Sequence, residues 1–108
     1  MNLKWHTNVA DDRVDEAMQL IKSTALLIKG RSQELCPVDS GDLMGSAYVD
    51  KVDDRTYAVG YGGVASDYAL EQHENLQYYH PVGQAKFLEQ AFEEEIVELL
   101  REFRARNL

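Results

Sequence analysis

Apolar residues recur at three- and four-residue steps in two long stretches of the chain, which is the spacing of amphipathic helices. The first stretch runs from Asp11 to Leu35, and its predicted buried stripe is Val14, Ala17, Met18, Ile21, Ala25, Ile28 and Leu35. Pro37 ends this helix, because proline disfavours helical backbone at the preceding residue. The second stretch begins near Gly83, and its predicted stripe is Phe87 or Leu88, Ala91, Phe92, Ile96, Leu99, Leu100 and Phe103.

Between the helices the pattern changes to one that is typical of strands. Residues 47–52 and 56–61 are largely strand-compatible, and the Asp53-Asp54 pair between them supplies a turn. We therefore expect an antiparallel hairpin with Tyr57, Val59 and Tyr61 on one face. A lone hairpin is marginally stable in water, so it must pack on the helices or pair with a third strand.

Helix, hairpin, irregular segment and helix in this order predict a single α+β domain over residues 1–108, with the C-terminal helix packed on the sheet. Residues 1–10 are predicted to form an N-terminal arm, and residues 64–82 an irregular segment that could be mobile. The arm contains Trp5, His6 and Asn8 where a signal peptide needs a continuous apolar core, so export is not expected. No apolar run approaches the ~20 residues that span a bilayer.

The chain is acidic, with 19 Asp and Glu against 11 Lys and Arg and a net charge of −8. Binding to a nucleic acid backbone needs clustered basic residues, and here only Arg101, Arg104 and Arg106 lie close together. The charge therefore disfavours nucleic acid as a partner beyond an incidental contact. For the same reason we expect no anionic membrane surface as a partner.

The residues that could carry chemistry do not form a recognisable catalytic set. Cys36 is the single cysteine, and we expect it to be a buried side chain at a helix end in a reducing compartment. His73 and His80 do not match zinc spacings, and the Gly60–Gly63 loop lacks the Lys-Ser/Thr of a phosphate-binding loop. The glutamates of residues 89–98 are expected to form a hydrated helix face. The sequence thus predicts no enzyme, no metal and no cofactor.

Three sequence blocks, taken in order, resemble a known family. The first is Cys36-Pro37-Val38-Asp39-Ser40-Gly41-Asp42-Leu43 followed by Ser46, the second is Val59-Gly60 with Tyr68-Ala69-Leu70 and His73-Glu74, and the third is Gly83-Gln84-Ala85-Lys86-Phe87-Leu88-Glu89 with Ala91. In order and spacing they are similar to small bacteriophage head–tail joining, tail-completion or minor capsid proteins. Ser40 stands where that family usually has threonine, and Leu70 where proline often follows.

The resemblance implies a structural protein of a tailed phage or prophage that acts at the head–tail junction. Its partners would be head–tail connector or tail proteins and further copies of itself in a ring. Its location would be the virion, and the host bacterial cytoplasm during assembly. The residues that we expect to contact neighbouring proteins are Asp39, Ser40, Leu43, Tyr68, His73, Tyr78, Tyr79 and Lys86.

Other interpretations remain open from the residues alone. Pro37 and Gly41 would fix a loop between helix and hairpin, and Asp39 and Ser40 can bond local backbone groups, so the first block could serve the fold without contacting a partner. A small cytoplasmic protein-binding or regulatory module is the alternative function. A hydrolase is a third interpretation, for which no nucleophile–base pair is visible.

Overall fold

Two antiparallel helices cover one face of a three-stranded sheet. The computed structural model describes residues 2–36, 45–62 and 84–108, with the side chains of residues 84–86 outside that description. In chain order the elements are strand β1 (Asn2–His6), a 3₁₀ turn (Asp11–Arg13), helix α1 (Val14–Leu35), strand β2 (Tyr48–Asp53), strand β3 (Thr56–Gly60) and helix α2 (Gln84–Ala105). The predicted α+β arrangement, with its C-terminal helix on the sheet, is confirmed.

The sheet has the order β1-β3-β2, and both of its strand pairs are antiparallel. The predicted hairpin is formed by β2 and β3, whose turn is held by the Arg55 N–H, which donates to Asp53 Oδ1 at 2.9 Å. A β-bulge interrupts the β2–β3 register between Lys51 and Asp53. Bulges bend and twist a strand, so β2 is an irregular edge of the sheet.

Strand β1 comes from the range for which the sequence predicts an arm. The structure places Asn2–His6 beside β3, with Leu3 opposite Val59 and Trp5 opposite Tyr57. The side chains of Leu3 and Trp5 contact the buried core, while the alternating residues of β1 lie on the other face of the sheet. This strand is therefore the third strand that the hairpin requires.

Ion pairs at both ends of the helices show that α1 and α2 are antiparallel. Near the C-terminal end of α1, Arg31 contacts Glu94 in the first half of α2 at 2.7 Å. Near the N-terminal end of α1, Glu16 contacts Arg106, just beyond the end of α2, at 3.2 Å. Over the residues that the structure describes, neither helix is apolar enough to cross a membrane.

The core lies between the helices and the sheet and divides into two clusters. The Tyr61 cluster consists of Ile28, Cys36, Val59, Tyr61, Phe87, Leu88 and Ala91. The Ile21 cluster consists of Met18, Ile21 and Leu99, with Trp5, Val14, Leu20, Tyr57, Ile96 and Phe103 partly buried against it. Aromatic contacts tie α2 to the sheet, because Phe87 meets Tyr61 edge-on at 5.1 Å and Phe92 lies 6.0 Å from Trp5.

The helical stripes agree with the sequence prediction except at one position. Ala17, Met18, Ile21, Ala25 and Ile28 of α1 are buried, as is Cys36 after the helix. Leu100 was predicted in the buried stripe of α2 and is 39% exposed, whereas Leu99 is buried. Adjacent helical residues point about 100° apart, and the packed position of α2 turns Leu99 toward the core and Leu100 toward the outside.

Candidate interaction surfaces

The residues predicted to contact partners lie almost entirely outside the described part of the chain. Asp39, Ser40 and Leu43 fall in residues 37–44, and Tyr68, His73, Tyr78 and Tyr79 fall in residues 63–83. Lys86 belongs to the first turn of α2, but its side chain is among those not described. The contacts expected of these eight residues stay predictions.

Parts of all three blocks that carry the family resemblance meet in the Tyr61 cluster. Cys36 comes from the first block, Val59 from the second, and the third contributes Phe87, Leu88 and Ala91. Ser46, the last residue of the first block, accepts a hydrogen bond at 3.0 Å from the N–H of Gly62, just after β3. Segments that are far apart in sequence are therefore packed together at one end of the molecule.

A buried hydrogen-bond chain lies inside this cluster. The hydroxyl of Ser32 donates to the Lys29 carbonyl at 2.9 Å, and the oxygens of Ser32 and Tyr61 are 2.6 Å apart. Since Ser32 has only one hydroxyl proton, the phenol of Tyr61 must donate to Ser32 Oγ. Burial raises the pKa of the Tyr61 phenol above its ordinary value. These hydrogen bonds join the residue that follows β3 to α1, and they satisfy two polar groups inside the core.

Arg55, in the β2–β3 turn, holds the connection between β1 and α1. Its guanidinium donates to the carbonyls of Thr7 and Val9 at 3.2 and 2.7 Å, and it forms an ion pair with Asp11. The hydrogen bond from the Arg55 N–H lowers the pKa of Asp53, as does the hydroxyl of Thr56. Arg55 was not singled out in the sequence, since nothing local to the turn indicates that its side chain reaches residues 7–11.

An open polar depression of about 380 Å³ lies beside Arg55, lined mainly by Asp11, Val14, Asp15, Met18, Lys51 and Asp54. The residues that the structure describes contain no group of three or more His, Cys, Asp or Glu placed to hold a metal ion. A second space lies between the helices and the sheet. It has a volume of about 20 Å³, which is enough for one water molecule. Neither space is built like a ligand pocket, which is usually apolar and larger than 300 Å³.

Ion pairs across the two helices use one of the glutamates, Glu94, that the sequence suggests is only hydrated. Arg31 makes a bidentate contact with Glu94, with nitrogen–oxygen distances of 2.7 and 3.2 Å. These hydrogen bonds lower the pKa of Glu94, and those from Arg13 and Arg106 lower the pKa of Glu16. The side chains of Arg31 and Glu94 remain more than one-third exposed, so the pairs orient the helices but add little stability.

The outward faces of the helices carry apolar side chains that the fold itself does not cover. Leu26 and Leu27 of α1 are 50% and 57% exposed, and Val97 of α2 is 54% exposed, with Leu100 on the same helix. The sequence holds a signal for α1, because the four consecutive apolar residues 25–28 cannot all face the core. Groups of exposed apolar residues mark contact surfaces more often than isolated ones do.

The face of the sheet that is turned away from the helices has small residues on its central strand and polar residues on its two outer strands. Its central strand presents Thr56, Ala58 and Gly60, all buried, and Ala58 lies between Lys4 of β1 and Asp50 of β2. Cross-strand polar contacts close both ends of this face: Asn2 Nδ2 donates to the Tyr48 hydroxyl at 3.1 Å, and His6 Nδ1 lies 2.7 Å from Thr56 Oγ1.

Comparison of the chain with models of protein families, with curated proteins and with solved structures finds no match.

Proposed function

We propose that this protein is a structural subunit of a tailed bacteriophage or prophage that acts at the head–tail junction. It works there as a minor capsid, head–tail connector or tail-completion protein. Its activity is assembly: copies of the chain contact each other in a ring, and they contact connector or tail proteins. The virion is its final location, after assembly in the host cytoplasm.

The observation that carries this proposal is the convergence of the three resemblance blocks on one cluster. Cys36, Val59 and Phe87 come from three separate parts of the sequence and are buried together. A chance similarity in three short motifs would not require them to pack against one another. The convergence supports the interpretation of the blocks as one unit.

The described surfaces suit a subunit that contacts other chains. Within the described residues, β1 and β2 each pair with one strand only, so each has a side on which another strand can add. The outward apolar residues of α1 and α2 offer a second kind of contact surface. A ring needs heterologous contacts, in which two different surfaces of the subunit meet.

A small protein-binding or regulatory module is the alternative, and the same exposed helix faces would serve it. The two functions differ in what the protein joins. A virion subunit remains in the finished particle, whereas a regulatory module binds a host or phage protein and is absent from the particle. Protein analysis of purified particles therefore separates them.

The decisive experiment is electron microscopy of particles made when the gene of this protein carries an amber codon. We expect tail-less heads, or separate heads and tails, and recovery of complete particles in a suppressor host. Normal infectious particles in the non-suppressing host would contradict the proposal.

Complementation of the amber phage with point variants tests the predicted contact residues. We expect Leu43→Asp and Tyr79→Asp to fail, because a charge replaces an apolar or aromatic contact with a neighbouring protein. Asn8→Asp, at an exposed residue of the β1–α1 connection, is a control for added negative charge. Circular dichroism of each purified variant must match the wild type, so that loss of assembly is not loss of folding.

A further inference from the structure

One stripe on the outer side of α2 contains an acid, two apolar residues and a base in regular order. Glu93, Val97, Leu100 and Arg104 follow one another at steps of four, three and four residues. This spacing places them on a single line along the helix, as in the contact line of a coiled coil. All four side chains are exposed, and the line lies opposite the buried residues Leu88 and Leu99.

The stripe is complementary to itself when it is reversed. If a second copy of α2 lies antiparallel against the first, Val97 of each copy meets Leu100 of the other. Glu93 of each copy then lies opposite Arg104 of the other, which gives two opposite-charge pairs around four apolar side chains. We propose that the outer face of α2 is a two-fold contact between two copies of this chain.

The charges at the two ends of the stripe are available for this contact. Neither Glu93 nor Arg104 forms an ion pair with another residue in the described part of the chain. The charged residues next to them in sequence do form ion pairs: Glu94 binds Arg31, and Arg106, just beyond the end of α2, binds Glu16. The fold therefore uses the charges on either side of the stripe and leaves those on the stripe itself.

The outer face of α1 lacks this complementarity, although Leu26 and Leu27 are exposed there. Lys22 and Lys29 lie four residues before and three residues after Leu26, and both are basic, whereas Gln19, Ser23 and Gly30 carry no charge. This contact line therefore has no acidic residue that could pair with the lysines of a second copy. The whole chain has a net charge of −8, so two copies repel each other unless the contact is locally balanced. Of the two outer helix faces, only that of α2 carries both an acidic and a basic residue on its own contact line.

The proposed contact is small. The stripe covers three turns of helix, roughly 17 Å. Such an area is at or below the ~1,000 Å² that a stable interface needs, so we expect a reversible dimer that forms at about micromolar concentrations or above. A two-fold contact closes after two copies and cannot by itself build a ring. The inference therefore stands apart from the proposed function, and either can fail without the other.

The first test measures the oligomeric state of the full chain by sedimentation velocity over a range of concentrations. We expect a monomer–dimer equilibrium in the wild type. Val97→Asp and Leu100→Asp should each raise the dimer dissociation constant by about a hundredfold or more, because they place a charge in the apolar centre of the contact. Asn8→Asp is the control, since it adds the same charge at an exposed residue outside both helix faces, and it should leave the constant within about threefold.

The second test exchanges the charges. Glu93→Arg leaves arginine facing arginine, and Arg104→Glu leaves glutamate facing glutamate, so each single variant should dimerise about tenfold or more weakly. The double variant Glu93→Arg/Arg104→Glu restores two opposite-charge pairs and should recover the wild-type constant. Mixing the two single variants should produce a heterodimer, because their charges are then complementary.

Clear results would overturn the inference. A wild-type chain that stays monomeric up to millimolar concentration would do so, as would a dimer or larger oligomer that Val97→Asp does not weaken. Failure of the double charge exchange to recover the dimer, with both single variants folded by circular dichroism, would rule out the antiparallel register. None of these outcomes bears on the amber-mutant experiment, which tests the phage function separately.

Discussion

The two ends of the helix layer are stabilised by different interactions. At the C-terminal end of α1, the Tyr61 cluster has seven buried side chains among the described residues and contains the Ser32–Tyr61 hydrogen bond. At the N-terminal end of α1, the Ile21 cluster has three, with partly exposed aromatic residues around them. Polar contacts at the surface add to this smaller cluster, because Arg55 binds the β1–α1 connection and Arg106 binds Glu16. At the Tyr61 end the Arg31–Glu94 pair is an addition to a cluster that is already larger.

This difference shows how a small domain can be stabilised without one continuous core. Burial of apolar area is insensitive to salt, whereas exposed ion pairs are screened by it. The Tyr61 end should therefore keep its structure over a wide range of conditions. The Ile21 end should open first, with β1 and the 3₁₀ turn, when its polar contacts are weakened.

The largest expected loss of stability comes from shortening one buried leucine in each cluster. Leu88→Ala in the Tyr61 cluster should lower the free energy of unfolding by about 3–4 kcal/mol, since the tightly packed neighbours cannot close the cavity. Leu99→Ala in the Ile21 cluster should cost about 2–3 kcal/mol, because the partly exposed residues around it can collapse inward. Urea denaturation measures both, and Leu27→Ala is the exposed control. An equal or reversed order would contradict the comparison.

Removing the Arg55 side chain should have the next largest effect. Arg55→Ala deletes the hydrogen bonds to the Thr7 and Val9 carbonyls, and we expect a loss of about 1–2 kcal/mol. Hydrogen exchange should accelerate in β1 and the connection to α1 more than in the Tyr61 cluster. Lys51→Ala, on the same hairpin, is the control. Uniform acceleration throughout the protein would show that Arg55 does not act locally.

A smaller effect is expected from the buried hydrogen bond. Tyr61→Phe removes the donor to Ser32 and should cost about 1 kcal/mol, whereas Tyr57→Phe should change little. Since the pKa of Tyr61 is raised, the protonated phenol stabilises the fold fully below the ordinary tyrosine value of ~10 and less as the pH rises above it. Wild-type stability should therefore fall more steeply above pH ~10 than that of Tyr61→Phe. Parallel curves would contradict this.

The smallest effect should be that of Glu94→Gln, which weakens the pair with Arg31. The pKa of Glu94 is lowered, so its contribution is present above the ordinary glutamate value and is lost as the pH falls through the lowered pKa. The stability difference between wild type and variant should shrink at acidic pH and at high salt, because the pair is exposed. Thermal unfolding at several pH values and salt concentrations measures it. A difference that persists in 1 M salt would mean that the pair is shielded from solvent.

The sequence predicts those elements whose signals are local. The apolar period of α1 and α2 and the turn at Asp53-Asp54 depend on residues close together in the chain, and the observed bounds agree with them to within a few residues. Strand β1 has only Leu3 and Trp5 on its core side, and its partner lies far along the chain. Nothing local distinguishes it from an arm.

The interaction surfaces were harder to predict than the fold. Leu100 was placed in the buried stripe because two leucines in succession satisfy a helical pattern equally well, and only the packed position of α2 decides between them. Arg55 binds residues 7–11 only because the β1–β3 pairing brings them close to the β2–β3 turn, and this pairing has no local signal in the sequence. The residues expected to contact partners lie where the structure gives no description.

The position of β3 in the middle of the sheet has a consequence for how the protein folds during synthesis. β1 leaves the ribosome before the other two strands of the sheet, but its partner residues in β3 are at least fifty positions later in the chain. The β2–β3 hairpin needs only a short loop closure, so it can form before the first strand joins it. The strand that is synthesised first is thus the last to enter the sheet, and until then one side of β3 is exposed to other chains.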